Sequence, residues 1–229
     1  MPLHSFQLLS PTAVLGLWHL TEAPGALWLL LPQAPTYRAL LPPMGNARRQ
    51  AQWLAGRVLI HALANKVSAL SLTDFVVQND ATGRPWLAGA QPGPTVSLSH
   101  SGEWVAAVLA LDGGVGVDVE IIRDKAQRLA TKFLNPIEWT AARAAAAAAP
   151  AAAAAHYTLL WSTKETLYKL AAKRGITFKT QLLLDSFAEK QSGEIPVTLV
   201  LNGLQTRHCV CYCRPAPGYV LTYCYQPVA

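Results

Sequence analysis

Two spacings of apolar residues alternate along this chain. In some stretches apolar side chains recur at every second position, as on one face of a strand. In others they recur every three or four positions, as on one stripe of a helix. Ala13–Leu20 (AVLGLWHL) and Ala26–Leu31 (ALWLLL) read as strands, and Pro32, Pro35, Pro42 and Pro43 mark loops. Asn46–Val67 reads as a long helix with Trp53, Val58, Leu59 and Leu63 near one side and Arg49 and Arg57 elsewhere. Phe75–Gln78 is a short strand, Ala81–Leu87 a turn into another, and Thr95–Gly102 a strand running into a loop. Glu103–Leu111 and Gly114–Ile121 read as a hairpin joined by the turn pair Asp112–Gly113. Lys125–Thr140 reads as helix with a break near Asn135–Pro136. Ala141–Ala155 is low in complexity: alanine favours helix and Pro150 interrupts it. It reads as a connector, helical on both sides of the proline. After the next helix, Pro196–Gly203, Gln205–Cys213 and Gly218–Gln226 close the chain as strands, the last two across the Arg214–Gly218 turn.

That helix contains WSTKETLYKL, Trp161–Leu170. Leu160, Thr163, Leu167 and Leu170 form one stripe that should face a core, and Glu165 and Lys169 fall on the other side, one turn apart. Taken alone, Glu165 and Lys169 are an exposed ion pair worth about 0.3–0.5 kcal/mol. The order of elements suggests an α+β protein of two similar halves, 1–102 and 103–229. Each is a small, mostly antiparallel sheet with a long helix.

Composition narrows the classes. With 229 residues the chain can bury one large core or two small ones. Alanine inflates the 52% hydrophobic fraction, and only 14% of residues are charged. The formal net charge of +6 favours an anionic partner. No Lys/Arg run and no basic–aromatic ladder marks a nucleic-acid arm. MPLHSFQLLS lacks the pattern of a secretory signal and ALWLLLP is too short to span a bilayer, so a cytoplasmic protein is the expectation. Cys209, Cys211 and Cys213 alternate on one strand face, unlike zinc-binding CxxC pairs, and with Cys224 read as buried free thiols.

The strand Gly114–Ile121 says most about chemistry. Val115, Val117, Val119 and Ile121 point one way, and Gly114, Gly116, Asp118 and Glu120 the other. Glycine inside a strand marks close approach by a ligand or another backbone. Two carboxylates side by side repel unless a cation lies between them. The plain reading is a solvated edge face with a glycine bulge. The alternative is a hard divalent cation such as Mg²⁺, with Glu165 as a third oxygen donor and a phosphorylated substrate. Ser97 and Ser99 share one face of their strand, Val96 and Leu98 the other, and His100 stands at the strand end, where it could donate to a phosphoryl oxygen. Arg84 sits beside a turn, next to Pro85.

Taken together and in this order, GRPW, SLSHSGEW, GVGVDVE and WSTKETLYKL resemble the 4′-phosphopantetheinyl transferases, specifically the monomeric Sfp-type group; the likeness covers about Asn46 to Leu170. The resemblance implies a pseudo-dimer of two α+β halves with the active site in the cleft between them. It implies transfer of the phosphopantetheine arm of coenzyme A to a serine of an acyl or peptidyl carrier protein, releasing 3′,5′-ADP, with Mg²⁺ or Mn²⁺. Matched by motif, Asp118, Glu120 and Glu165 would hold the metal. Glu165 would also activate the serine, and Lys169 would neutralise or protonate the leaving phosphate. His100 and Ser99 would touch the nucleotide phosphates, and Arg84 the 3′-phosphate or adenine end. Arg48, Arg49 and Arg57 are looser matches for coenzyme A contacts. The segment after Glu120, IIRDKAQRLATKF, would form part of the carrier surface.

Other classes fit less of the pattern. A serine hydrolase needs a GxSxG elbow, and LSHSG lacks the first glycine. A glycosidase could pair Glu120 with Glu165, but leaves the basic charge without a role. A nucleic-acid module would use the charge, but not a strand of glycines and carboxylates.

Overall fold

The computed structural model describes residues 3–43, 45–67, 75–90 and 93–228. The chain forms two compact units, Met1–Val115 with Tyr225–Ala229, and Gly116–Cys224.

The first unit holds β1 (Leu3–Ser10), β2 (Ala13–His19), α1 (Pro24–Leu30), α2 (Ala34–Leu40), α3 (Ala47–Ala64), β3 (Val76–Asn79), β4 (Pro85–Ala88), β5 (Thr95–Ser101) and β6 (Trp104–Ala110). Its main sheet runs β1-β2-β6-β5, antiparallel throughout. β3 and β4 form a separate antiparallel ribbon. Asn46 caps α3 by accepting the Arg49 N–H at 2.9 Å. Leu54, Leu59 and Leu63 of α3 pack on Val14 and Trp18 of β2, Val96 of β5, and Val105, Ala107 and Leu109 of β6.

The second unit takes up β7 (Gly114–Ile121), α4 (Lys125–Phe133), α5 (Pro136–Ala148), α6 (Ala153–Ala171), α7 (Phe178–Gln181), β8 (Leu182–Leu184), β9 (Gly193–Leu201), β10 (Leu204–Cys213) and β11 (Tyr219–Gln226). Its sheet order is β7-β11-β10-β9-β8. Asn135 and Glu138 close a capping box that starts α5, and a short 3₁₀ turn at Pro150–Ala152 separates α5 from α6, as the proline demands. The Leu160–Thr163–Leu167–Leu170 stripe of α6 is buried. Among the described residues, no helix is long and apolar enough to cross a membrane.

Several expectations change. Ala26–Leu31 is not a strand: α1 starts on Pro24, whose fixed φ suits a first helical turn, and PGALWLL contains no β-branched residue. Pro35 does not mark a loop either, but opens α2. The hairpin across Asp112–Gly113 does not form. β6 already has β2 and β5 on its two edges, so β7 joins the other sheet, beside β11. Gly113 does turn with positive φ (71°), and a Cβ there would run into the Gln226 carbonyl oxygen. For the same reason the units divide in the chain at Val115/Gly116, not at 102/103: β6 completes the first sheet. Of the four free cysteines only Cys224 is buried, because Cys209, Cys211 and Cys213 lie on the face of β10 opposite the core residues Val210 and Tyr212.

Candidate functional site

The carboxylates are set by one close approach. A Cβ on Gly116 would run into the Thr166 carbonyl oxygen of α6, so only glycine lets the helix lie this near β7. Two residues on, Asp118 points at α6 and is buried. Its Oδ1 accepts from Lys169 Nζ at 2.8 Å and its Oδ2 from Ser162 Oγ at 2.9 Å. Lys169 Nζ also donates to the Val117 carbonyl at 2.8 Å. The ion partner of Lys169 is therefore Asp118 on the facing strand. Glu120 accepts the Trp161 indole N–H at 3.3 Å. Ser162, Thr222 and Thr166 continue inward as a chain of hydroxyls, with oxygens 2.8 and 2.6 Å apart.

Glu165 lies half-buried on the same face of α6. Burial pushes its carboxyl up to about 7, the negative charges of Asp118 and Glu120 push the same way, and Lys169 opposes them. Asp118, Glu120, Glu165 and Lys169 thus act on one another electrostatically within the second unit. Among the described residues, no group of three His, Cys, Asp or Glu side chains stands ready-made to hold a metal. The chemistry of the three carboxylates still fits a hard cation: a positive charge among them would relieve the part of the rise at Glu165 that Asp118 and Glu120 add to burial.

Lys164, beside Glu165, went unnoticed in the sequence and is fully buried. It donates to Glu138 Oε2 at 2.6 Å and to the carbonyls of Phe133 and Phe178, both at 3.0 Å. Burial lowers its pKa, and the hydrogen bond and charge of Glu138 oppose that shift. The rings of Phe133 and Phe178 flank Trp161 at 5.1 and 5.7 Å. Lys164 therefore anchors the walls that aim the indole at Glu120. The sequence signal was a cation inside a core stripe, but its partner lies 26 residues away.

The nucleotide-side candidates belong to the first unit. β5 extends to Ser101, so His100 lies within the strand and pairs with Val105. Alternation puts exposed His100 and buried Ser99 on opposite faces, so their side chains do not share a site there. Arg48 and Arg49 are exposed at the start of α3. Arg48 stands 4.0 Å from Glu103, and both line a groove of about 320 Å³ with Leu20–Pro24. Arg84 ends the Asp80–Arg84 turn that leads into β4. Arg57 is 4% exposed, its guanidinium stacked 3.5 Å over Trp53, so it is not a surface contact.

A family model described as the 4′-phosphopantetheinyl transferase superfamily matches residues 114–224. The chain is 29% identical over 182 residues to the 4′-phosphopantetheinyl transferase psf-1 of Bacillus pumilus, covering 80% of this chain and 68% of that protein. It is 32% identical over 133 residues to the 4′-phosphopantetheinyl transferase AcpT of Salmonella typhi, covering 57% and 64%. It is 28% identical over 179 residues to a phosphopantetheinyl transferase of Thraustochytrium, covering 69% and 61%. The chain thus spans between 61% and 68% of the length of these relatives. The matched stretch carries Asp118, Glu120, Glu165 and Lys169, and over it the chain is similar to the 4′-phosphopantetheinyl transferase superfamily.

Proposed function

We propose that this protein moves the 4′-phosphopantetheine arm of coenzyme A onto a serine of an acidic apo acyl or peptidyl carrier protein and releases 3′,5′-ADP, acting as a cytoplasmic monomer. The observation that carries the reading is the close approach of α6 to β7 at Gly116, which brings Asp118, Glu120, Glu165 and Lys169 together with Lys169 2.8 Å from Asp118. A carboxylate and a fixed lysine at one place suit removal of a serine proton and neutralisation of a leaving phosphate. Asp118, Glu120 and Glu165 would hold Mg²⁺ or Mn²⁺, which would supply positive charge to the pyrophosphate oxygens. Lys169, fixed by Asp118 and the Val117 carbonyl, has a third N–H to give to the leaving phosphate. His100 and Ser99 would touch the nucleotide phosphates, and Arg84 the 3′-phosphate. Arg48 and Arg49 would extend this binding to the rest of coenzyme A. Arg123, Lys125, Arg128 and Lys132 are exposed on and beside α4, which supports an acidic carrier there.

The test is incubation of the protein with coenzyme A, Mg²⁺ and a panel of apo carrier proteins, read by mass. The expected result is a carrier heavier by one phosphopantetheine arm, abolished by excess chelator. Lys169→Met and Glu165→Gln should each slow transfer roughly 10²–10⁴-fold; Lys169→Met should also lower the melting temperature, because it leaves the buried Asp118 carboxylate without its cation. Near-normal turnover in both variants would overturn the roles given to them.

A further inference from the structure

Arg57 is the one arginine of α3 that the fold takes out of water. Besides stacking on Trp53, it donates through Nη1 to the Trp53 carbonyl at 3.1 Å and through Nη2 to Asn79 Oδ1 at 2.8 Å. Burial lowers its pKa to about 10, so it stays charged at neutral pH. One edge of the planar fork is thus fixed by its own helix and the other reaches the last residue of β3.

Asn79 passes this hold onward. Its Nδ2 donates to the Gly83 carbonyl at 2.7 Å. The turn between is closed on itself. Asp80 N–H donates to the Arg84 carbonyl at 2.9 Å and Gly83 N–H to the Asp80 carbonyl at 2.9 Å. Asp80 Oδ1 accepts from the Thr82 and Arg84 backbone N–H groups at 2.7 and 3.0 Å. The turn therefore moves as a piece, and Asn79 is the side chain that ties it to the buried arginine. Asn79 and Asp80 are themselves exposed, so the anchor lies inside while the piece it steers lies at the surface.

We propose that Arg57 is a positioning residue which, through Asn79, fixes the Asp80–Arg84 turn and so the direction in which Arg84 meets the 3′-phosphate of coenzyme A. This rests on the functional reading above, in which Arg84 takes that phosphate. Arg57 itself touches no ligand. It supplies rigidity: an arginine that must be ordered on binding loses part of its contact energy to that ordering, and one held in advance does not.

Asn79→Leu removes both hydrogen bonds at an exposed position and keeps the side-chain volume. Calorimetric titration of the full chain with coenzyme A and with 3′-dephospho-coenzyme A is compared for wild type, Asn79→Leu, Arg84→Ala and the double variant. Asn79→Leu should lose roughly tenfold in affinity for coenzyme A and almost none for the dephospho form. The double variant should bind no more weakly than Arg84→Ala alone. Should Asn79→Leu melt far below wild type, Arg57→Lys, which keeps the charge without the fork, is scored the same way. Unchanged coenzyme A binding, equal losses on both ligands, or fully additive losses in the double variant would overturn the inference alone. Wild type that binds no coenzyme A would remove the functional reading, and this inference with it.

Discussion

The two units each lay one long helix on a sheet, and the seats differ. α3 meets its sheet through side chains. A Cβ on Gly56 would come 2.7 Å from Leu98 Cδ2, and one on Gly16 of β2 would come 2.6 Å from Leu63 Cδ2. Leucine tips can rotate away. α6 meets β7 through backbone at Gly116, where the obstacle would be the Thr166 carbonyl, and a helix carbonyl cannot yield without moving its turn. The buried cations differ in the same sense. Arg57 is held by neutral groups, whereas Lys164 is held by a buried carboxylate. The unit that must aim several charged groups at one point has the unyielding seat. The first unit has the adaptable one.

Substitutions of the two cations probe this most strongly. Lys164→Met leaves Glu138 buried without its partner and should cost about 3–5 kcal/mol, read as a lowered denaturant midpoint. Glu138→Gln added to it should recover much of that loss. Arg57→Met strands only neutral acceptors and should cost about 1–3 kcal/mol. Equal costs would erase the distinction between the two seats.

The glycines come next. Gly116→Ala should cost about 1–3 kcal/mol and slow transfer, because Asp118 and Lys169 move apart as α6 is displaced. Gly56→Ala should be nearly neutral, since about 1 kcal/mol of helix propensity offsets the rotation of Leu98. Thermal melts and turnover of the two variants side by side decide it.

The smallest expected effect is on pH dependence, measured in chelator. Glu165, raised from 4.5 to about 7, holds its proton more tightly folded than unfolded. Its contribution is complete below pH 4.5 and is lost as pH rises through 7. His61, bonded to the Tyr37 hydroxyl and lowered by burial from 6.5 to about 4, does the opposite. Its contribution is complete above pH 6.5 and is lost as pH falls through 4. Between those limits, acidification should strengthen the second unit and weaken the first. Glu165→Gln and His61→Gln should each flatten one limb of the melting-temperature profile. Parallel profiles would show that the units do not differ in this way.

What the sequence revealed was what local periodicity controls. The α6 stripe and the alternation of β7 follow from spacing alone. α1 was misread because an apolar run of six residues has no period to tell helix from strand, and only Pro24 hinted at helix. At Asp112–Gly113 the turn chemistry was right and the sheet assignment wrong. The backbone turns as expected, but which sheet β7 joins depends on β11, about a hundred residues later in the chain. Asp118, Glu120, Glu165 and Lys169 were recognisable because each lies off a clean apolar face. The spacing sets Arg57 apart from the apolar side of α3, and a pattern of polar and apolar letters cannot show an arginine inside a core. The Ser162–Thr222 contact joins residues 60 apart, which no spacing rule reaches.

Glu138 begins α5 by accepting the Asn135 N–H, holds Lys164 through the same oxygen, and takes the Leu184 N–H on the other. A residue that serves three masters cannot drift. Losing either Glu138 or Lys164 leaves the other stranded, so a lineage can leave this arrangement only by changing both at nearly the same time. The alanine tract that follows on α5 carries no such obligation. Over evolutionary time the start of this helix should be inherited as a fixed pair, while its body is free to lengthen, shorten or change in composition.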